Sequence, residues 1–267
     1  MPSSPLAEAI PAAIPRAALV TGGAKRLGRA LCLGLAEAGF DVAVHYSGSA
    51  DEAGETAAAA RALGRRAAAL RADLAREDEA ASLLPAAAAA LGGPIGVLVN
   101  NASVFERDEW DDATRESWDR HVEPNLRAPF VLTQAFARAL SDGAEGAVLN
   151  MLDQRVWSPT PHFLSYSLSK AALWSLTRQF ALALAPRIRV NGIGPGPALP
   201  SPRQSAEQFA RQNASVPLGH GTSPEEVARA ALCVLALPAV TGQMIALDGG
   251  QHLQWSPASG AGGALPE

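Results

Sequence analysis

Three residues with proton-transfer chemistry lie close together near the middle of the chain. Tyr166 precedes Lys170 by four residues, and Asp153 precedes Tyr166 by thirteen. The chain has only two tyrosines and two lysines, the others being Tyr46 and Lys25. In a helix, residues four apart project from one face about 6 Å apart along the axis. A lysine cation there would lower the pKa of the phenol and hold nucleotide ribose hydroxyls, so the tyrosine could protonate a substrate that receives hydride.

A glycine-rich segment, TGGAKRLG at residues 21–28, has the composition of a phosphate-binding turn. Its glycines at 22, 23 and 28 allow a sharp turn from strand to helix, where helix N-terminal N–H groups can face a pyrophosphate. Lys25 and Arg26 add two cations at this point. The spacing is not G-x-G-x-x-G, so a turn that only caps a helix remains the alternative.

The end of the second predicted strand indicates which dinucleotide would bind. The segment VHYSGSADE contains Tyr46, Ser47 and Ser49 but no carboxylate before Asp51. A ribose 2′-phosphate would meet no repulsion there and could accept hydrogen bonds from both serine hydroxyls, whereas an NAD site usually has an acidic residue. We therefore predict NADPH (NADP+) as the cofactor.

The segment NNASVF, residues 100–105, follows the fourth predicted strand. Small amide side chains would allow a close approach to the cofactor, and Phe105 could stack on a flat ring or pack under the loop. Asparagine is also common in turns, so a plain strand-ending turn is the alternative.

These motifs require a scaffold, which the pattern of apolar segments predicts. Short aliphatic runs alternate with Ala- and Leu-rich stretches of helical length, which is typical of a parallel sheet covered on both faces. We predict an α/β single-domain, Rossmann-like doubly wound parallel sheet of about seven strands. Its ligands would bind at the carboxyl ends of the strands. The predicted strands are 17–21, 41–46, 66–72, 95–100, 146–152, 187–193 and 242–247, and the predicted helices are 26–39, 51–64, 76–91, 112–140, 164–185 and 224–236.

The domain organisation is predicted as one catalytic unit with two flexible ends. The 267 residues suit a single α/β domain. We expect a flexible leader at 1–15, a Rossmann-like dinucleotide-binding and catalytic domain at 16–254, and a flexible tail at 255–267. Residues 197–212, Pro-rich and then helical in pattern, are predicted to be a substrate lid, with a connecting excursion as the alternative.

Composition narrows the partners. The formal charge is −4, with no block of basic residues, which argues against a nucleic-acid surface or a polybasic membrane patch and favours a small-molecule substrate. The two cysteines have no metal-ligand or disulfide-framework spacing, so we predict no metal site and a reducing, cytoplasmic location.

Together, TGGAKRLG, NNAS, Asn125-Leu126, Tyr166-x-x-x-Lys170 and NGIGPG at 191–196 resemble the short-chain dehydrogenase/reductase family over roughly residues 16–252. The resemblance implies that Tyr166 is the catalytic acid, that Lys170 binds ribose and tunes the tyrosine, and that Asn125 positions the lysine through water. With the motifs above, it gives these cofactor contacts: Gly22, Lys25, Arg26, Leu27, Gly28, Tyr46, Ser47, Ser49, Asp73, Leu74, Asn101, Ala102, Ser103, Tyr166, Lys170, Pro195 and Gly196.

Asp153 is the informative departure, because the family ordinarily has serine at this spacing. An ionised carboxylate only accepts hydrogen bonds. It would disfavour a carbonyl and favour a substrate with N–H donors, or supply a proton if its pKa were raised. With SVPLG at 215–219 and LDGG at 247–250, Asp153 makes the chain similar to the pteridine reductase branch and its bacterial dihydromonapterin and dihydrofolate reductase relatives. That resemblance implies these substrate contacts: Arg26, Ser103, Phe105, Asp153 and Tyr166.

The sequence thus predicts an NADPH-dependent reductase of a pterin-like nitrogen heterocycle, with Tyr166 and Asp153 delivering protons. A general ketone or 3-oxoacyl reductase of the same family is one alternative, and a non-catalytic NADP-binding sensor is another. The predicted helix 164–185 carries more apolar surface than one sheet-facing stripe needs, as Leu168, Trp174 and Leu176 illustrate. By family resemblance, a homotetramer is expected.

Overall fold

The computed structural model describes residues 5–201 and 203–254. Its centre is one seven-stranded sheet in the order β3-β2-β1-β4-β5-β6-β7, and every strand pair is parallel. The predicted doubly wound α/β fold is confirmed. The strands are β1 Ala17–Val20, β2 Asp41–Tyr46, β3 Ala67–Arg71, β4 Val97–Asn100, β5 Gly146–Met151, β6 Ile188–Pro195 and β7 Met244–Leu247.

Helices cover both faces of the sheet. They are α1 Pro5–Ala9, α2 Arg26–Glu37, α3 Ala50–Ala62, α4 Glu77–Leu91, α5 Arg115–Val122, α6 Ala128–Ala139, α7 Leu164–Ala183, α8 Ala206–Ser215 and α9 Pro224–Leu235. Helices α2, α3 and α9 pack into the core on one face, and α4, α6 and α7 into the core on the other. The central strands β1, β4 and β5 are buried along their whole length, which explains their unbroken apolar sequences.

The predicted helix at 112–140 is interrupted. Thr114 caps α5 by accepting a hydrogen bond from the Ser117 N–H, and the Ser117 hydroxyl accepts from the Thr114 N–H. A π-helical turn, Glu123–Arg127, then joins α5 to α6. Such turns are rare and occur often at functional sites. Here the turn carries Asn125, whose side chain is fully buried.

The segment predicted as a flexible leader is partly packed. Helix α1 lies within it, and the side chains of Ile10 and Ile14 are buried in the core that contains α2 and α9. Because prolines interrupt the apolar pattern of this segment, the sequence did not indicate that Ile10 and Ile14, four residues apart, pack into the same core. The predicted tail at 255–267 lies outside the described residues.

The strand order reverses next to β1, which pairs with β2 on one side and β4 on the other. In open α/β sheets the crevice at such a reversal is the usual ligand site. Among the described helices, none has the length and apolar character needed to cross a membrane.

Candidate active site

A cleft of about 500 Å³ opens at the reversal point. Most residues predicted to contact the cofactor line it: Gly22, Lys25, Arg26, Leu27, Gly28, Ser47, Asp73, Leu74, Asn101, Ala102 and Ser103. Tyr46 and Ser49 were also predicted to contact the cofactor and are close to Ser47 in sequence, but they do not line the cleft. Tyr46 packs against the core, and Ser49 occupies the N-cap of α3.

The glycine-rich segment approaches neighbouring backbone closely. Gly22 has a φ of +61°, in the left-handed region, and a Cβ there would lie 3.0 Å from the Ala102 Cα. A Cβ on Gly28 would lie 2.7 Å from Asn101 Nδ2 and would clash with the Gly22 carbonyl. Glycine is therefore required at both positions, and the segment forms a tight cradle at the start of α2.

The beginning of α2 has the features of an anion site. Its N-cap residue, Lys25, makes no side-chain capping hydrogen bond to the helix. The lysine ammonium lies 3.8 Å from a Glu52 carboxylate oxygen and is more than half exposed. Helix N-terminal N–H groups and two adjacent cations fit a pyrophosphate. The donor set of this cleft therefore fits a dinucleotide.

The catalytic candidates meet at the carboxyl end of β5. The Tyr166 hydroxyl donates a hydrogen bond to Asp153 Oδ2 at 2.8 Å. The Lys170 ammonium donates to the Met151 carbonyl oxygen at 2.8 Å. Burial lowers the pKa of Lys170 to about 8, and the Asp153 carboxylate opposes this shift. The sequence spacing thus brings the three predicted residues together.

Asp153 is held by the short 3₁₀-helix that follows it. Its Oδ1 accepts from the Arg155 backbone N–H at 2.8 Å, and its Oδ2 lies 3.2 Å from Arg155 Nη1. Both side chains of this ion pair are largely buried. Oδ2 therefore accepts from a phenol and a guanidinium at once, which is the role of a carboxylate. Sequence reasoning missed Arg155; its only signal was its position two residues after Asp153.

A second cavity, of about 290 Å³, adjoins the first at this point. The predicted residues that line it are Arg26, Leu27, Asn101, Ser103, Phe105, Asp153, Tyr166, Lys170, Pro195 and Gly196. Residues that were not predicted also contribute, among them Gln154, Arg155 and Gln251. Because this cavity contains the phenol and the carboxylate, it is the candidate substrate pocket.

Phe105 forms an aromatic wall beside the phenol. Its ring stacks on Phe163 with centroids 4.6 Å apart and meets the Tyr166 ring edge-on at 4.6 Å. The guanidinium of Arg155 lies 5.3 Å and that of Arg203 5.2 Å from the Phe105 ring centroid. Two cations therefore flank an aromatic wall, and Phe105 lies beside the catalytic candidate. Its stacking on a substrate ring stays a prediction.

The predicted lid is connected to both cavities. Arg26 Nη1 donates to the Pro200 carbonyl oxygen at 3.0 Å, and both terminal nitrogens of Arg203 lie 3.2 Å from the Phe105 carbonyl oxygen. Leu199, Ser201, Gln204 and Phe209 from the same segment line the substrate pocket. The helical part of the segment, α8, extends to Ser215. The role of the segment as a lid stays a prediction.

Asn125 lies behind the site. Its side-chain nitrogen donates to the Val104 carbonyl oxygen at 2.9 Å and to Ser169 Oγ at 3.1 Å, and its oxygen accepts from the Val104 N–H at 2.8 Å. These bonds join the loop before Phe105 to the helix of Tyr166 and Lys170. The predicted role toward Lys170 through water stays a prediction.

A buried network fixes the same loop to the start of α7. The Asp108 carbonyl oxygen accepts from the Phe163 N–H at 3.0 Å, and its Oδ1 accepts from the Ser165 N–H at 3.1 Å. The Ser165 hydroxyl donates to Asp108 Oδ2. His121 Nδ1 is 2.7 Å from that hydroxyl oxygen. Asp108 and Ser165 are 57 positions apart in sequence, and the Asp108 carboxylate caps the start of α7. The capped residue, Ser165, directly precedes the catalytic candidate Tyr166.

A family model described as short chain dehydrogenase matches residues 16–215. The chain belongs to the short-chain dehydrogenase family. It is an oxidoreductase by that membership, as the sequence predicts. Its pairing of a Tyr166 phenol with an aspartate, where the resemblance leads one to expect serine, separates it from the ordinary pattern.

Curated relatives of this short-chain dehydrogenase act on diverse substrates by name. The 3β-hydroxysteroid dehydrogenase 1 of Eggerthella lenta is 34% identical, over 88% of this chain and 93% of the relative. The 3-oxoacyl-[acyl-carrier-protein] reductase FabG of Staphylococcus epidermidis is 28% identical, over 89% of this chain and 99% of the relative.

Two crystal structures share the fold and have a higher sequence identity to this chain than these two relatives. FolM alternative dihydrofolate reductase 1 from Brucella canis, complexed with NADP, is 44% identical with a TM-score of 0.89, over 94% of this chain and 100% of that chain. The protein of the same description from Brucella suis, in complex with NADP, is 45% identical with a TM-score of 0.87, over 90% of this chain and 96% of that chain.

Proposed function

We propose that this short-chain dehydrogenase is an NADPH-dependent reductase of a pterin-like nitrogen heterocycle of the dihydropterin or dihydrofolate type. The observation that carries the proposal is the 2.8 Å hydrogen bond from the Tyr166 hydroxyl to Asp153. A carboxylate at this place can accept hydrogen bonds from N–H groups of the substrate. A ketone has no such N–H groups. The two solved structures with the highest identity reported above carry dihydrofolate reductase descriptions, which supports the same substrate class.

The aromatic wall supports a flat substrate. Phe105 lies beside the phenol and lines the pocket. Offset stacking on a phenyl ring favours a planar heterocycle over an aliphatic carbonyl compound. Arg26 and Ser103 line both cavities and would contact substrate and cofactor together.

NADP(H) is proposed as the cofactor because both solved structures reported above are NADP complexes and because the cleft has Ser47, not a carboxylate, just after β2. When bound, reduced nicotinamide supplies a hydride. In this chain Gly22 and Gly28 would admit the pyrophosphate, Asp73 and Leu74 would contact adenine, and Pro195 and Gly196 would seat the nicotinamide.

Tyr166 is assigned the proton transfer. Its hydroxyl proton is directed at Asp153, so a substrate nitrogen that enters beside the carboxylate would lie within reach of both groups. Lys170, anchored on the Met151 carbonyl oxygen, supplies a positive charge one helical turn away. Asp153 would hold a substrate N–H as an acceptor, and the tyrosinate left after the transfer would take its replacement proton from solvent.

Reduction of a ketone or 3-oxoacyl group is the second candidate. It is favoured by the names of the curated relatives reported above, which act on hydroxysteroids and 3-oxoacyl groups. A carboxylate in place of the expected serine argues against it, because Asp153 cannot donate a hydrogen bond to a carbonyl oxygen while ionised.

We also infer a cytoplasmic homotetramer. Leu168 and Leu182 on α7 are exposed, at 47% and 83%, on the helix that carries the catalytic candidates. A second copy packed on this face would cover them. Light scattering of the purified protein tests this, with a monomeric mass as the contrary result.

The substrate proposal is tested by following NADPH absorbance with dihydrobiopterin, dihydromonapterin, dihydrofolate and several ketones. We expect turnover of at least one of the three heterocycles, and a fall of about 10²–10⁴-fold in Tyr166→Phe. That variant should still bind NADPH, which separates lost proton transfer from lost cofactor. Turnover of ketones alone would support the second candidate, and NADPH binding without turnover of any substrate would indicate a sensor.

A further inference from the structure

A buried histidine lies beneath the glycine-rich segment. His45, near the end of β2, is 1% exposed, and its Nδ1 accepts a hydrogen bond from the Gly22 N–H at 3.0 Å. Its Nε2 is 3.0 Å from the Ala72 carbonyl oxygen. A peptide N–H only donates and a carbonyl only accepts, so these two partners assign the neutral tautomer with hydrogen on Nε2.

The same residue holds the next amide of the segment as well. The His45 carbonyl oxygen accepts from the Gly23 N–H at 2.9 Å. On the other side, Asn101 Nδ2 donates to the Gly22 carbonyl oxygen at 3.1 Å. Two successive N–H groups of the glycine-rich segment therefore donate hydrogen bonds to His45. The bond from the Gly22 N–H forms only while the ring nitrogen Nδ1 is unprotonated.

The ring also connects the turn to the opposite wall of the cleft. Ala72 follows β3 and directly precedes Asp73, which lines the cofactor cleft with His45 itself. A single side chain thus joins the loops after β1 and β3, on either side of the cleft. Displacement of the ring would move both walls.

The charged groups around this position oppose one another. Asp73 is the acidic group that acts on His45, while Lys25, Arg26 and Arg120 line the same cleft. Burial lowers the pKa of His45, and the Ala72 hydrogen bond and the Asp73 charge partly offset this. Protonation would put a second N–H opposite the Gly22 N–H, so two donors would face each other in a buried place.

We propose that His45 is a positioning residue for the cofactor: its neutral imidazole fixes the glycine-rich segment in the conformation that receives the pyrophosphate, and its protonation releases that segment. Cofactor affinity should therefore fall as the pH falls. The inference rests on the cofactor part of the proposed function and is independent of the substrate, so failure of every pterin as a substrate would leave it standing.

The test uses the full chain, without substrate, and equilibrium titration with NADPH from pH 8 to pH 5. His45→Asn and His45→Gln are a matched pair. The asparagine oxygen lies near the position of Nδ1 and can accept from Gly22 without titrating. The glutamine amide reaches toward Ala72 and leaves the Gly22 N–H without an acceptor. The 2′-phosphate of NADPH titrates equally with all three proteins.

We expect the Kd of the wild type to rise about fivefold or more between pH 8 and pH 5, relative to the change in His45→Asn. At pH 8, His45→Asn should bind within about threefold of the wild type, and His45→Gln about tenfold or more weakly. Equal pH dependence in the wild type and His45→Asn would overturn the proposal, as would wild-type affinity in His45→Gln.

A measurement on the wild type alone decides the matter if a variant fails to fold. Binding linkage is reciprocal, so saturating NADPH must lower the NMR titration midpoint of the His45 ring if the neutral ring favours binding. An unchanged or raised midpoint would contradict the proposal.

Discussion

The Tyr166 hydroxyl and the Asp153 carboxylate are 2.8 Å apart, and the same carboxylate oxygen lies 3.2 Å from the Arg155 guanidinium. This hydrogen bond joins Tyr166 on α7, the donor, to Asp153 just after β5, the acceptor. Lys170 is bonded to the Met151 carbonyl oxygen and does not compete for that carboxylate oxygen. The phenol proton, the carboxylate and the lysine charge therefore lie together at the edge of the substrate pocket.

Lys170 should couple protein stability to pH in the alkaline range. Burial lowers its pKa from 10.5 to about 8, so the unfolded chain binds more protons than the folded chain between these values. The free energy of unfolding contributed by this group therefore rises with pH across that window, by up to about 1.4 kcal/mol per pH unit.

Denaturant titrations at about pH 8 and pH 10 test this linkage. Lys170→Met should lose the contribution. Lys25→Met, which removes the other lysine of the chain from a largely exposed site, should retain it. If both variants changed the dependence of the free energy of unfolding on pH by the same amount, Lys170 would not be the responsible group.

Lys170 should also limit activity at high pH. Loss of its cation above about pH 8 in the free enzyme removes a positive charge beside the phenol. We expect kcat/KM to decline above that pH. A rate that stays level to pH 10 would indicate that the charge does not contribute to catalysis.

Asp108→Asn should impair both stability and catalysis. The new amide would place an N–H donor toward the Ser165 hydroxyl or the Ser165 N–H, which now bond to the carboxylate. We expect a loss of about 1–3 kcal/mol in the free energy of unfolding and a fall in kcat, because the loop of Phe105 and the start of α7 separate. Asp111→Asn, an exposed change in the same loop, is the control. Equal behaviour of the two variants would show that the Asp108 hydrogen bonds do not hold this loop to α7.

Arg203→Gln should weaken substrate binding more than turnover. Arg203 donates to the Phe105 carbonyl oxygen and lies over the Phe105 ring. Loss of these contacts, each worth roughly 0.5–1 kcal/mol at an exposed place, should raise KM several-fold while kcat changes little. Arg211, in α8, is exposed like Arg203, and Arg211→Gln should leave KM as in the wild type. Steady-state kinetics that give the two variants the same KM would reject this role for Arg203.

His121 should make the protein less stable in mild acid. Burial is the largest cause that lowers its pKa, and its Nε2 accepts from the Glu106 N–H at 3.0 Å. The unfolded histidine therefore binds a proton at a pH where the folded one does not, and stability declines as the pH falls below about 6.5. Glu106 and Asp108 oppose this effect and Arg120 adds to it.

Unfolding measured at pH 7 and pH 5 checks the expectation. The loss of stability between these values should be smaller in His121→Gln than in the wild type. His220→Gln, at an exposed histidine, should show the wild-type loss. A wild-type pH dependence in His121→Gln would be the contrary result.

Local patterns were sufficient to predict the sheet. The apolar runs at 41–46 and 146–152 correspond to β2 and β5 almost residue for residue. The strand predicted at 95–100 begins two residues later, at Val97. Spacing alone also placed Tyr166 and Lys170 on one helix, since four residues make about one turn.

Long-range contacts were not predictable in this way. Asp108 and Ser165 are separated by 57 positions in sequence, and nothing local to either residue indicates the other. His45 gave a weak signal, because it is a polar residue directly after the apolar run at 42–44. The break between α5 and α6 was missed although Pro124 and Pro129 signal it: each occupies the first turn of a new helical segment, where proline is tolerated.

The most direct test of the account is the substrate ratio of Asp153→Ser, which supplies the hydroxyl expected of the family. We predict that kcat/KM for the dihydropterin falls about 100-fold or more, while that for ketones stays level or rises. Asp142→Ser, at an exposed position, controls for the change in charge. Undiminished dihydropterin reduction by Asp153→Ser would contradict the central role of the aspartate.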